Sequence, residues 1–336
     1  MRIEYNPAID VSCAMLQYAR WEEIRQVCGS GYSFSPELEI WQRKIKSSIS
    51  SILENDLKYL IGNFLGLTFL PVMIAAKEEI TTVSRLIERL KALSVDSLPA
   101  MLFDSYGTEV SFDDVKDDPD EVIRQLEKAG GTVWKNEPAM FLDFIRHPES
   151  FMARLAGLIE DFYHAAVLPY EDDVKEVIFE QIKQEQLVLE KDPAHFFKAY
   201  CRLKQPAEGA ELKIYISYYD EIDIIQLDEP LALIYGRCRN RLTDGGAIPI
   251  EDVYRLLSDE SRRSILQLLC CRSWFIREIA TELELTSATV SYHVSRLSVL
   301  DLVTYERGER KRIYYRADLE KVEAMLNAVR QDILGD

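Results

Sequence analysis

Histidine is scarce in this chain, and cysteine comes without a pattern. There are 4 His and 6 Cys among 336 residues. Cys13, Cys28, Cys201, Cys238, Cys270 and Cys271 include no CxxC pair, so they read as reduced core thiols and not as a disulfide framework. His147, His164 and His195 stand far apart and fit no nucleophile or zinc pattern. HExxH, GxSxG and Walker-type motifs are missing. No catalytic residues and no cofactor are therefore expected. GSGYS at 29–33 lacks the Lys-Ser/Thr of a phosphate loop. The acidic runs FDDVKDDPDE and YEDDVKE read as solvated loops and helix starts. Long apolar runs are also lacking. The strongest, LIGNFLGLTFLPVMIAA at 60–76, is broken by Asn63, Thr68 and Pro71 and reads as buried core, with no membrane contact. The opening MRIEYNPAID lacks the apolar stretch of a secretory leader, which points to a cytoplasmic protein.

Positive charge is the next shortage. The formal net charge is −17, which by itself argues against nucleic acid. Its distribution argues otherwise. From Ile250 to Asp336 there are 13 Lys/Arg and 15 Asp/Glu, leaving 27 against 42 in the rest of the chain. The acidity belongs to the first part, so a local basic surface remains possible.

A chain of this length suggests two domains, or three. Residues 1–5 alternate like a short strand. Helical spacing runs from Glu37 to about Leu65 through Trp41, Ile45, Ile49, Ile52 and Leu60. Further helices are expected at 81–94, 118–129, 148–167, 171–190 and 193–202, the second begun by Asp118–Pro119 and ended by Gly130–Gly131. The Ile- and Tyr-rich stretch 211–240 reads as two or three antiparallel strands. RLTDGGAIP at 241–249 is a turn-rich linker. The expected fold is mainly α with small β-sheets: a helical domain with a small antiparallel sheet over 1–248, then a winged helix-turn-helix over 249–336. The first domain is expected to sense an effector or bind a partner. Tyr215, Tyr218, Tyr219 and Tyr235 are its candidate ligand contacts.

The second domain carries the informative pattern. Ile250–Leu257 is one helix, and Ser258 or Asp259 caps a second, ESRRSILQLLC. SWF at 273–275 is a short extended piece. IREIATEL is a third helix, followed at once by a fourth in ELTSATVSYHVSRL. Thr286 stands at the N-cap of that fourth helix, and Leu285 can plug the turn. Val290, Val294 and Leu297 are spaced to bury one side. The other side carries Ser287, Thr289, Ser291, Tyr292 and Arg296, with no Glu or Lys from Ser287 through Leu297. An ordinary solvated helix face is rich in Glu and Lys. Small hydrogen-bonding groups instead let a helix approach base edges and phosphates closely. The hairpin LVTYERGERKRIYYR follows, with five basic residues against two acidic ones over 305–316. It reads as a wing that supplies salt-dependent affinity for the phosphate backbone.

The blocks LSDESRRSILQLL, IREIATELELTSATVSYHVSRLSVLDLV and GERKRIYYR, in that order and spacing, resemble the ArsR-type winged-helix regulators over about 85 residues. The resemblance implies a homodimeric repressor that binds an inverted-repeat operator in double-stranded DNA. It places DNA contacts on Ser287, Thr289, Ser291, Tyr292 and His293, with wing contacts near Arg310 and Arg312; Thr286 and Arg296 on the helix, and Arg307 and Lys311 on the hairpin, complete the candidate DNA-binding set. Metal-sensing members carry Cys-x-Cys before the third helix. Here Phe275 and Arg277 occupy those positions, and the last helix has no His. Cys270 and Cys271 diverge by about 100° on a helix. No metal site is therefore expected, and control would pass through a non-metal ligand or a partner. On the last helix Leu319, Val322, Leu326, Val329 and Ile333 repeat at 3-4-3-4 spacing, a seam suited to dimerisation. Two other readings remain at this point: an enzyme whose winged helix docks a partner or RNA, and a protein-interaction platform without a small ligand.

Overall fold

A computed structural model describes residues 1–28, 34–106, 108, 110–128, 137–201, 211–221, 224–228, 231–238, 250–285, 287–307 and 313–335. It is mainly helical with two small sheets. The chain forms two compact units. The first comprises Met1–Trp21, Phe34–Glu127 and Val133–Arg239; the second comprises Glu22–Ser33, Lys128–Thr132 and Asn240–Asp336. The expected linker at 241–249, like Trp134, lies outside the described residues.

In the first unit four strands make one sheet: β1 (Ile3–Glu4), β2 (Lys213–Ser217), β3 (Ile224–Asp228) and β4 (Leu231–Gly236), in the order β1-β2-β4-β3. β1 pairs parallel to β2, and β2 parallel to β4; only β3 and β4 are antiparallel. This corrects the antiparallel expectation for 211–240. The hairpin partner β4 inserts between β2 and β3. The signal was in the burial. Ile214 through Ser217 and Ala232 through Gly236 are buried without alternation, as strands covered on both faces are.

The helix Pro7–Ala19 follows β1 directly and is buried almost all round. Asn6 starts it, its Oδ1 accepting from Ala8 N at 2.9 Å with Pro7 at the first position. The expected long helix from Glu37 is in fact broken. Ile49 leaves Pro36–Ser48 with extended backbone, and the Ser50 hydroxyl caps Ser51–Asp56 by accepting from Leu53 N. The break turns Ile52 outward, to 75% exposure. Helices at Val83–Lys91, Pro119–Lys128, Pro148–Phe162 and Glu171–Lys191 follow the expected spacing. Trp21–Cys28, Leu98–Ser105 and Glu137–Arg146 were not expected. The run at 60–76 is core: Leu67, Leu70, Val72 and Ala75 of Leu65–Lys77 have no exposure. Among the described residues no single helix is long and apolar enough to cross a membrane.

Several buried polar groups in this unit are paired across long sequence distances. The Tyr106 hydroxyl donates to Glu137 Oε1, which also accepts from Gly66 N at 3.0 Å. A Cβ at Gly66 would meet that hydroxyl at 2.5 Å, so glycine permits the approach. The candidate tyrosines do not share one site. Tyr218 and Tyr219 lie at the end of β2, where Tyr218 N donates to Asp10 Oδ2 at 3.2 Å. The Tyr235 hydroxyl instead donates to Glu185, and its ring meets Phe196 edge-on. Tyr215 is buried elsewhere on β2. All four are at most 7% exposed.

Candidate nucleic-acid interface

The second unit builds its helix-turn-helix from local capping rules. Asp259 begins Glu260–Cys271, its Oδ1 accepting from Arg262 N at 2.8 Å. After that helix Trp274 bridges to Tyr315, with N–O distances of 2.9 and 2.7 Å, and so adds a third extended piece to the wing sheet. Glu278 then accepts from Phe275 N at the start of Ile276–Glu282.

The turn into the fourth helix ends Ile276–Glu282 with two characteristic bonds. Leu285 N donates to Ala280 O at 2.9 Å and Glu284 N to Thr281 O at 3.4 Å. Glu284 sits in the left-handed region at φ 55, the position where glycine is usual. Leu285 packs into the domain core as a plug. Because the side chain at Glu284 gains nothing from that backbone, Glu284→Gly is expected to stabilise the unit by about 1 kcal/mol. Calorimetry should show its melting temperature rise by several degrees; a fall would disprove the strain at this turn.

The recognition helix, Ser287–Val299, lays Val290, Val294 and Leu297 on a core shared with Ile265, Leu269, Ile279 and Leu302. Its far end repeats the same cap. Leu302 N donates to Leu297 O at 3.0 Å, Asp301 N to Ser298 O at 3.0 Å, and Asp301 is left-handed at φ 62. The Asp301 carboxylate pairs with Lys321, which ties this end to the last helix, Leu319–Leu334. The helix is thus fixed at both ends. β5 (Val303–Arg307) and β6 (Ile313–Ala317) follow as an antiparallel pair.

On the outer side Tyr292 is 42% exposed, and Thr289, Ser291 and Arg296 are half-buried. Tyr292 and Arg296 share a face, one turn apart, with the guanidinium reaching the Tyr292 hydroxyl at 3.3 Å. Thr286, the Ser287 and Arg307 side chains, and Arg310, Lys311 and Arg312 of the wing tip lie outside the described residues.

His293 departs from the expectation of a DNA contact. It is 7% exposed. Burial lowers its pKa most, with Arg262 and Arg296 pushing the same way and Asp259 opposing. Its ring is buried near Asp259 and Arg262 of the second helix, where the charged form is disfavoured, and is not presented to phosphate. Arg262 is buried beside it, 3.4 Å from Asp259 Oδ2. A cation in the first turn, where the helix dipole disfavours it, was the sequence signal for that unusual arginine.

The dimer seam also divides. Val322 is buried and Val329 packs on the domain's own core, together with Met325. Helix Ile250–Ser258 lies against that side of the last helix, and the Tyr254 hydroxyl donates to Asp332 at 2.6 Å. Leu319, Leu326 and Ile333, at 46, 49 and 64% exposure, form the outward stripe.

No curated protein and no solved structure matches the chain significantly. Residues 259–305 match the family described as bacterial regulatory protein, arsR family. That span runs from the Asp259 cap through the recognition helix into β5. The match and the geometry agree: the C-terminal part of this chain carries an ArsR-type helix-turn-helix domain, the mark of a DNA-binding transcription regulator.

Proposed function

We propose that the chain is a cytoplasmic, homodimeric repressor, non-catalytic, whose first unit answers to a non-metal ligand or a partner. The observation that carries this is the recognition helix. Its apolar side is spent on its own core, while its outer side offers Thr289, Ser291, Tyr292 and Arg296 without a carboxylate. That surface suits a duplex, and the sequence supplies Arg307, Arg310, Lys311 and Arg312 shortly after it. In an inverted-repeat operator two such helices would enter successive major grooves about 34 Å apart. The stripe of Leu319, Leu326 and Ile333 is the natural contact between two copies, since the rest of the seam is used internally. Control of DNA binding requires a ligand or partner that prefers one arrangement of the two helices energetically.

Selection from a random duplex library with the full chain tests this reading. An inverted repeat with half-sites one helical turn apart is the expected result. Failure to enrich any sequence would refute it. Arg310→Gln with Arg312→Gln should then weaken binding to all sequences alike and flatten the salt dependence by about two counterions.

A further inference from the structure

Two arginines of the helix-turn-helix are already engaged, and neither acceptor belongs to the winged helix. Arg296 Nη1 donates to Gln26 O at 2.7 Å, and Arg277 Nη1 donates to Lys128 O at 3.2 Å. Both pairs fall within the second unit, to which Gln26 and Lys128 belong. The two acceptors are alike in kind. Gln26 lies in the last turn of Trp21–Cys28, and Lys128 is the last residue of Pro119–Lys128. The final four carbonyls of a helix have no partner within it and carry the negative end of its dipole. They are weak stand-ins for phosphate oxygens.

The position of the first contact matters more than its strength. Arg296 shares its face with Tyr292, the most exposed of the described side chains on the recognition helix's outer side. A major groove about 12 Å wide admits one helix of 10–12 Å diameter with its side chains. A second segment held 2.7 Å from Arg296 on that face cannot enter with it.

We propose that Glu22–Cys28 is an intramolecular latch. It meets the DNA-facing side of the recognition helix through the Arg296–Gln26 carbonyl contact, Arg277 is held separately by the Lys128 carbonyl of another helix, and duplex binding requires the segment's release. This rests on the DNA-binding reading above and adds a competitor for the same surface. Phosphates, with full charges, displace the carbonyls when DNA is present. Whatever holds the segment down or lifts it sets the apparent affinity.

The test uses the full chain and a mixed-sequence duplex at fixed salt. Val27→Pro drives residue 26 out of helical backbone and turns its carbonyl away. It is expected to tighten duplex binding on the order of fivefold, and to steepen the salt dependence as the freed Arg296 reaches phosphate. Unchanged or weaker binding by a folded variant would overturn the latch. Should that variant fail to fold, amide exchange on the wild-type chain decides. The amides of Glu22–Cys28 should exchange faster in the DNA complex while those of the recognition helix exchange more slowly. Equal or slower exchange along Glu22–Cys28 in the complex overturns the proposal. Absence of DNA binding by both chains would sink the regulator reading, and the latch with it.

Discussion

Arg237→Met is expected to destabilise the first unit by about 3–5 kcal/mol, the usual cost of stripping one partner from a buried ion pair. The Arg237 side chain is 5% exposed and that of Glu221 is fully buried, with Nη2 to Oε1 at 3.0 Å. The guanidinium also donates through Nε to Tyr218 O at 3.2 Å, bonds the Ser35 hydroxyl, and lies 4.2 Å over the Tyr218 ring. Glu221 accepts from Ser35 N at 3.0 Å, but a backbone amide does not neutralise a carboxylate. Methionine fills the stem's volume and leaves the charge behind. Changing Glu221→Gln as well should recover most of the loss, because the uncompensated ion is the expensive part. Urea unfolding of the three variants measures this. A single-variant loss under 1 kcal/mol would show that the pair is solvated and not structural.

The second large effect is a loss of stability as pH rises. Burial pushes the Asp10 carboxyl up to about 6, against the opposing hydrogen bonds from Ser217 and Tyr218 N–H. Burial likewise pushes Glu185 up to about 7, with Tyr235 and Gln181 opposing. A carboxyl raised on folding is bound more tightly to its proton in the native state. Its contribution is therefore fully present below the unfolded value near 4, and is lost as pH climbs through 6 for Asp10 and 7 for Glu185. Each is worth about 3 kcal/mol by the conversion of 1.36 kcal/mol per pKa step. The surface carboxylates Glu78, Glu79, Glu160 and Glu180 are lowered by Arg89, Lys213, Lys91 and Lys183 and act in the other direction. They are exposed pairs and screened, so they do not reverse the trend. The net charge of −17 reinforces it through self-repulsion above pH 6. Unfolding free energies at pH 5 and pH 8 should favour pH 5 by several kcal/mol. Asp10→Asn should flatten the lower part of that slope and Glu185→Gln the upper part. A first unit more stable at pH 8 would contradict the assignment.

The C-terminal domain was legible because its determinants are local. Asp259 caps three residues ahead, Leu285 plugs the turn beside it, and Val290, Val294 and Leu297 fix the helix rotation by spacing alone. The first unit was less legible because its determinants are distant. Nothing in 211–240 tells β2 to take β1 and β4 as parallel neighbours, since β1 lies some two hundred residues away. The dimer stripe shows an intermediate case. A 3-4-3-4 repeat contains two overlapping faces, and only the packing of Val322, Met325 and Val329 reveals which one the domain keeps. His293 shows the reverse failure. It lies beside Tyr292 on a short polar stretch, yet a 100° rotation takes it from the surface to the second helix. Arg296–Gln26 had no sequence signal at all, because a backbone carbonyl leaves no trace in residue identity.

The most direct measurement is the duplex affinity of the full chain against a variant carrying Ser291→Glu and Tyr292→Glu, read by fluorescence anisotropy at two salt concentrations. Both positions lie outside the core, so the variant should melt as the parent does. The parent should bind with an affinity that falls steeply as salt rises. The variant should lose on the order of a hundredfold, as two contacts are replaced by charges facing phosphate. A variant that binds as tightly as the parent would show that this helix does not face the duplex.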